Sequence, residues 1–153
     1  MGEELTYFSM AENDYQFLSE DVERGRVANL ICYSAQNICE RYLKHVITEC
    51  TDPSIDTTTI LRSHSLRTLL RFLKNHVPEF LIDAVIVSKA DGYYFTARYP
   101  GVDAYNVDKS DVDQCWEAVT HTRDCVLAYM RQIDYHQEKN NILNSSYAQD
   151  ERI

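Results

Sequence analysis

The chain has 153 residues, 44% of them hydrophobic, enough for one sizeable core and too apolar for global disorder. With only four Gly and three Pro it lacks the turn signals of an all-β sandwich, so long helices are expected. Fifteen basic against 24 acidic residues, a net charge of -9, argue against broad binding of nucleic acid through its phosphates. A few cations converging in one local pocket remain compatible with that balance.

Residues 1–12 read as an N-terminal extension without the basic start of a secretory signal, and no stretch approaches the ~20 apolar residues of a membrane helix. An amphipathic helix is expected over residues 13–24, presenting Tyr15, Leu18 and Val22, with Gly25 interrupting it. From residue 26 to about 49, Val27, Leu30, Ile31, Ile38, Tyr42, Val46 and Ile47 recur at helical spacing, and Ala35 permits close approach of a neighbour. Residues 51–62 form a loop, built on Asp52-Pro53-Ser54 turn chemistry and three threonines.

Leu66, Leu69, Leu70 and Leu73 mark a short helix that Pro78 closes. Residues 80–90 read as a further helical piece, and Tyr99-Pro100-Gly101 breaks the chain again. Ser110 is placed to cap a last helix with Asp111 and Asp113 in its first turn. Its apolar stripe runs through Val112, Cys115, Trp116, Val119, Val126, Leu127, Met130 and Ile133, and a polar, poorly ordered tail is expected over residues 138–153. The domain is therefore residues 13–137, and the class is all-α: an antiparallel up-and-down bundle of four to five helices.

The five cysteines, Cys32, Cys39, Cys50, Cys115 and Cys125, lack zinc-ligand spacing. They read as small buried hydrophobes of a cytoplasmic protein, with no metal and no cofactor implied. Phosphate-binding glycine loops and zinc-protease or nucleophile-elbow motifs are absent.

Two segments concentrate chemistry. Gln36, Glu40 and Lys44 fall at i, i+4 and i+8 on one helix face, which makes either a solvated, salt-bridged stripe or one wall of a site. Residues 91–101 place Tyr93, Tyr94, Phe95 and Tyr99 around Arg98, as a helix-end plug or as rings and a guanidinium for a nucleobase or phosphate.

The ordered set Gln36-x3-Glu40-Arg41-Tyr42-Leu43-Lys44, His64-Ser65-Leu66, Tyr94…Arg98-Tyr99-Pro100 and a long final helix resembles the HEPN (higher eukaryotes and prokaryotes nucleotide-binding) family. The likeness covers roughly residues 13–131. Asn37 stands where the family usually has Ala, Arg41 where it has Lys, and Ser65 where it has Asp. The resemblance implies a ligand site at Gln36, Glu40, Arg41, Lys44, His64, Tyr94, Arg98 and Tyr99, a homodimer, a nucleotide or RNA ligand, and a nucleotidyltransferase-type partner. Its catalytic branch is a metal-independent, toxin-like ribonuclease with Arg-x4-6-His, the Arg on the scissile phosphate and the His moving a proton.

Two pairs fit that spacing, Arg71…His76 and Arg131…His136, but both lie away from the Arg98 segment where the motif is expected. The leading expectation is thus a non-catalytic binding module; the alternatives are the ribonuclease and a purely structural adaptor. Arg98→Ala should weaken ligand binding ~10- to 150-fold without unfolding the chain. A lowered melting temperature with wild-type affinity would reduce Arg98 to packing.

Overall fold

A computed structural model gives the structure of residues 4–96, 100 and 106–150. The described residues are all-α, as the sequence predicts: α1 (Tyr7–Glu23), α2 (Asn29–Cys50), α3 (Leu66–His76), the short α4 (Ala84–Ser88) and α5 (Tyr93–Thr96), and α6 (Lys109–Asp150). One 3-10 turn, Ile60–Arg62, precedes α3.

The first helix starts six residues before the expected Asn13. Thr6 and Ser9 close a reciprocal cap: the Thr6 hydroxyl accepts from Ser9 N at 3.1 Å and Ser9 Oγ accepts from Thr6 N at 2.9 Å. Two otherwise orphaned N–H groups are satisfied, with serine in the position more often held by Glu or Gln. Gly25 ends the helix at φ +71°, a left-handed conformation that residues with a Cβ rarely adopt. Gly25 N then reaches Val22 O and Arg26 N reaches Asp21 O, the paired bonds of a Schellman stop.

Helix α2 is the spine of the bundle, packed against both α1 and α6. Ile31, Ile38, Tyr42, Val46 and Ile47 are buried as the periodicity predicts, and Cys32, Ala35 and Cys39 are fully enclosed between them. Val27 and Leu30 belong to the predicted stripe but are exposed, because the helix begins only at Asn29 and Leu30 faces outward from its first turn.

After the loop, Ser65 caps α3 through Thr68 N, and the helix ends at His76 before Pro78. Only Ala84–Ser88 of the expected 80–90 helix forms. Asp83 accepts from Val85 N and Ile86 N, which fixes the helix start after Phe80–Ile82 rather than before them. Phe80 is nevertheless buried and meets the Tyr129 ring, and Asp83 N donates to His121 Nε2 at 3.0 Å. Those contacts seat α4 on the middle of α6.

Asp108, not Ser110, caps α6: Asp108 Oδ1 accepts from Asp111 N and Asp111 Oδ2 from Asp108 N, both at 2.9 Å. The helix runs 42 residues, about 63 Å, where a polar tail was expected from residue 138. No Gly or Pro follows Gly101 to stop it, and the Ser145 and Ser146 hydroxyls fold back onto Ile142 O.

All five cysteines are free; Cys32, Cys39 and Cys115 are buried. Burial pushes the Cys39 thiol up to about 12, so it behaves as a hydrophobe rather than a nucleophile.

Candidate functional site

Gln36, Glu40 and Lys44 are not a solvated stripe. They are 1%, 3% and 6% exposed, a polar ladder inside the bundle, because the segment before α3 and the start of α5 both lie across that face of α2. Gln36 holds the two covering segments together. Its Nε2 donates to His64 O at 2.7 Å and its Oε1 accepts from Tyr94 N at 2.7 Å, so one amide joins positions 28 and 58 residues away.

One rung along, Glu40 Oε2 lies 3.2 Å from His64 Nδ1 and 3.5 Å from Lys44 Nζ. Glu40 Oε1 has no hydrogen-bond partner among the described residues. Burying a carboxylate and an ammonium together is costly unless both are paired, and here each neutralises the other. The His64 ring is stacked on Tyr94, with centroids 4.1 Å apart and planes 9° from parallel; Tyr94 in turn meets Tyr33 at 5.9 Å. The His64 side chain is 45% exposed, so the ladder runs from the buried Lys44 to an imidazole at the surface.

Asp91 organises the rim. Its carboxylate accepts from Leu66 N at 3.0 Å and Arg67 N at 3.1 Å, adding an anion to the N-terminus of α3, where the helix dipole favours one. Gln36, His64, Arg67, Asp91, Gly92 and Tyr94 line a cavity of about 460 Å³. It combines a fixed imidazole, the Tyr94 ring stacked on it and the Arg67 guanidinium with the Asp91 carboxylate, whose oxygens are engaged by Leu66 N and Arg67 N. The rings and guanidinium suit an anionic group carried on a flat aromatic one.

The structure thus brings Gln36, Glu40, Lys44, His64 and Tyr94 together. Arg98 and Tyr99 lie outside the described residues. Arg41 points elsewhere: its guanidinium pairs with Asp14 on α1. Arg71 is exposed on α3, and His76, also exposed, packs on Phe72. Arg131 donates to Leu127 O of its own helix and His136 meets Tyr135 edge-on, both on the exposed part of α6. Sequence reading passed over Arg67 and took Asp91 only as the first residue of the aromatic segment, with no role of its own. The available signal was local, since Arg67 directly follows His64-Ser65-Leu66 and Asp91 precedes the Gly92 turn (φ +92°) into the aromatic run.

Among the described residues no group of three His, Cys, Asp or Glu side chains is placed to hold a metal ion, and no helix is long and apolar enough to cross a membrane. No curated protein and no solved structure matches the chain. The family model described as the HEPN domain matches residues 5–129, a span that holds the whole ladder and its cavity. By that match, over most of its length, the chain belongs to the HEPN family, a family of nucleotide-binding and RNase-type modules.

Proposed function

We propose that the chain is a homodimeric nucleotide- or RNA-binding HEPN module acting beside a nucleotidyltransferase-type protein, and that its ligand sits in the cavity between α3 and the start of α5. The observation that carries this reading is the buried Glu40–Lys44 pair ending on a surface histidine. A bundle needs no such pair: apolar side chains of similar volume pack as well or better. Its use here is to hold His64 and, through the stack, Tyr94 in fixed positions at the mouth of the cavity. Arg67 supplies a cation on the same wall, where a phosphate would find it.

Titrating the protein with a nucleoside monophosphate and with a short RNA tests the reading. Arg67→Ala should weaken binding on the order of 10- to 150-fold, the loss of one charge-assisted contact, with the melting temperature unchanged. His64→Ala should lower affinity through the lost stack and imidazole. Absence of saturable binding by the wild-type chain, or wild-type affinity in both variants, refutes the proposal.

One observation favours a catalytic reading as the second choice. A carboxylate on Nδ1 is how an imidazole is oriented for proton transfer, and none of the described hydrogen bonds uses His64 Nε2. In that reading His64 takes the proton of a ribose 2′-hydroxyl as its oxygen bonds to the adjacent phosphorus, and Arg67 binds the attacked phosphate. The P–O5′ bond breaks, the 5′-oxygen leaving with a proton from water and a 2′,3′-cyclic phosphate remaining. Cleavage of RNA in EDTA that disappears in His64→Ala would establish it; intact RNA retires it and leaves the binding proposal standing.

A further inference from the structure

Two surfaces of this chain lack partners among the described residues, and their chemistries are complementary. The first is a groove of about 770 Å³ between α3 and α4, with Leu70 and Phe80 in its floor and Leu81, 80% exposed, on its lip. Helix α3 carries Arg67, Arg71, Lys74 and His76 and no acid, in a chain of net charge -9. Arg71 and Lys74 line the groove, are exposed and make no ion pair among the described residues. Val85, 73% exposed on α4, extends the apolar surface toward Arg67.

The second surface is the end of α6. Every side chain from Asp134 to Ala148 is exposed, yet Tyr135, Ile142, Leu143 and Tyr147 are 63%, 66%, 46% and 69% exposed on one broad stripe of the helix. Asp134 and Glu138 lie in the same i, i+4, i+8 row as Ile142, so acids border the stripe. Lys139, the single lysine or arginine between residues 134 and 148, stands within it between Tyr135 and Leu143 and can lay its aliphatic stem along the stripe with its ammonium at the edge. A solvated helix of about 15 residues, with Asn140, Asn141, Ser145 and Ser146 in its middle, is marginal in water without a surface to cover its apolar side. Because α6 is continuous through Asp150, this end does not turn back onto its own bundle.

We propose that the α3/α4 groove receives the end of α6 from a second copy of the chain. Exchanged reciprocally, the two contacts form a closed isologous dimer, each tail laying its apolar stripe over Leu81 and Val85 with Asp134 and Glu138 toward Arg71 and Lys74. The apolar floor and lip favour a helix over a nucleic-acid backbone, whose phosphates use the cations but have nothing to gain from Leu81. The inference rests on the homodimer stated above and specifies its interface.

Light scattering of the full-length chain at tens of micromolar, with charge-reversal variants, provides the test. The wild type should be a dimer. Arg71→Glu/Lys74→Glu and Asp134→Lys/Glu138→Lys should each raise the dimer dissociation constant roughly 10- to 100-fold, since like charges then face each other. An equimolar mixture of the two variants should recover the dimer mass, because each reversed groove then meets a reversed tail. If the wild type is a monomer, the dimer and its interface both fail. If it is a dimer that neither variant weakens, or if the mixture does not recover, the docking fails while the dimer stands. Circular dichroism melts accompany each variant, and where one has lost its helical signal Leu81→Ser and Ile142→Ser take its place with the same expected loss of dimer.

Discussion

Lys44→Met should destabilise the domain by about 3–5 kcal/mol, measured by urea denaturation at neutral pH, because it leaves the Glu40 carboxylate buried without its cation. Glu40 is 3% exposed, its Oε1 is already without a partner among the described residues, and His64 alone would remain at Oε2. Adding Glu40→Gln to Lys44→Met should recover a large part of the loss, since a neutral amide costs far less to bury than an ion. Equal destabilisation of the single and double variants would show that the lost aliphatic packing of Lys44, not its charge, is responsible. A loss below about 1 kcal/mol would mean that the pair is hydrated and behaves as a surface bridge.

The same residues mark how far the sequence could be read. Spacing at i, i+4 and i+8 correctly puts Gln36, Glu40 and Lys44 on one face, but periodicity describes a helix by itself. Whether that face meets water depends on Gln36 gathering His64 and Tyr94, 28 and 58 residues away, and such long-range closure leaves no trace in a local pattern. Arg41, one residue beyond Glu40, turns to a different helix for the same geometric reason, since adjacent residues of a helix point about 100° apart. Element boundaries failed where local side chains decide them. The Thr6–Ser9 box starts α1 early, the Asp83 cap starts α4 late, and the chain beyond Gln137 has no Gly or Pro to stop a helix. The helical class, the order of the long helices and the family were legible because they rest on patterns repeated over many residues.

Glu12→Ala should cost on the order of 2–4 kcal/mol, although Glu12 lies in what reads from sequence as an extension to the domain. Its carboxylate accepts from Arg123 Nε at 2.8 Å and Arg123 NH2 at 3.1 Å, a two-pronged bond from α1 to α6, and from Tyr42 OH on α2 at 2.6 Å. Arg123 also lies over the Tyr15 ring, 4.4 Å from its centroid, and Tyr15 stacks on Trp116. Removing the carboxylate therefore strands a buried tyrosine hydroxyl and unpairs a guanidinium at the junction of three helices. The Arg123 hydrogen bond, opposed by burial and aided by Tyr42, holds the Glu12 carboxyl below its ordinary value of 4.5. A folded-state value below the unfolded one means that this contribution is complete above about pH 4.5 and is lost as pH falls through the folded value. Burial also lowers His45 from 6.5, which makes the unfolded chain the better proton acceptor and begins to erode stability at a higher pH, below about 6.5. The two windows separate the groups. In Glu12→Gln the decline below pH 4.5 should flatten while the shallower decline nearer pH 6 persists, and in His45→Phe the reverse should hold. An unchanged acid limb in Glu12→Gln, followed by thermal melts from pH 7 to pH 3, would mean that the α1–α6 clamp does not set the acid stability of the domain.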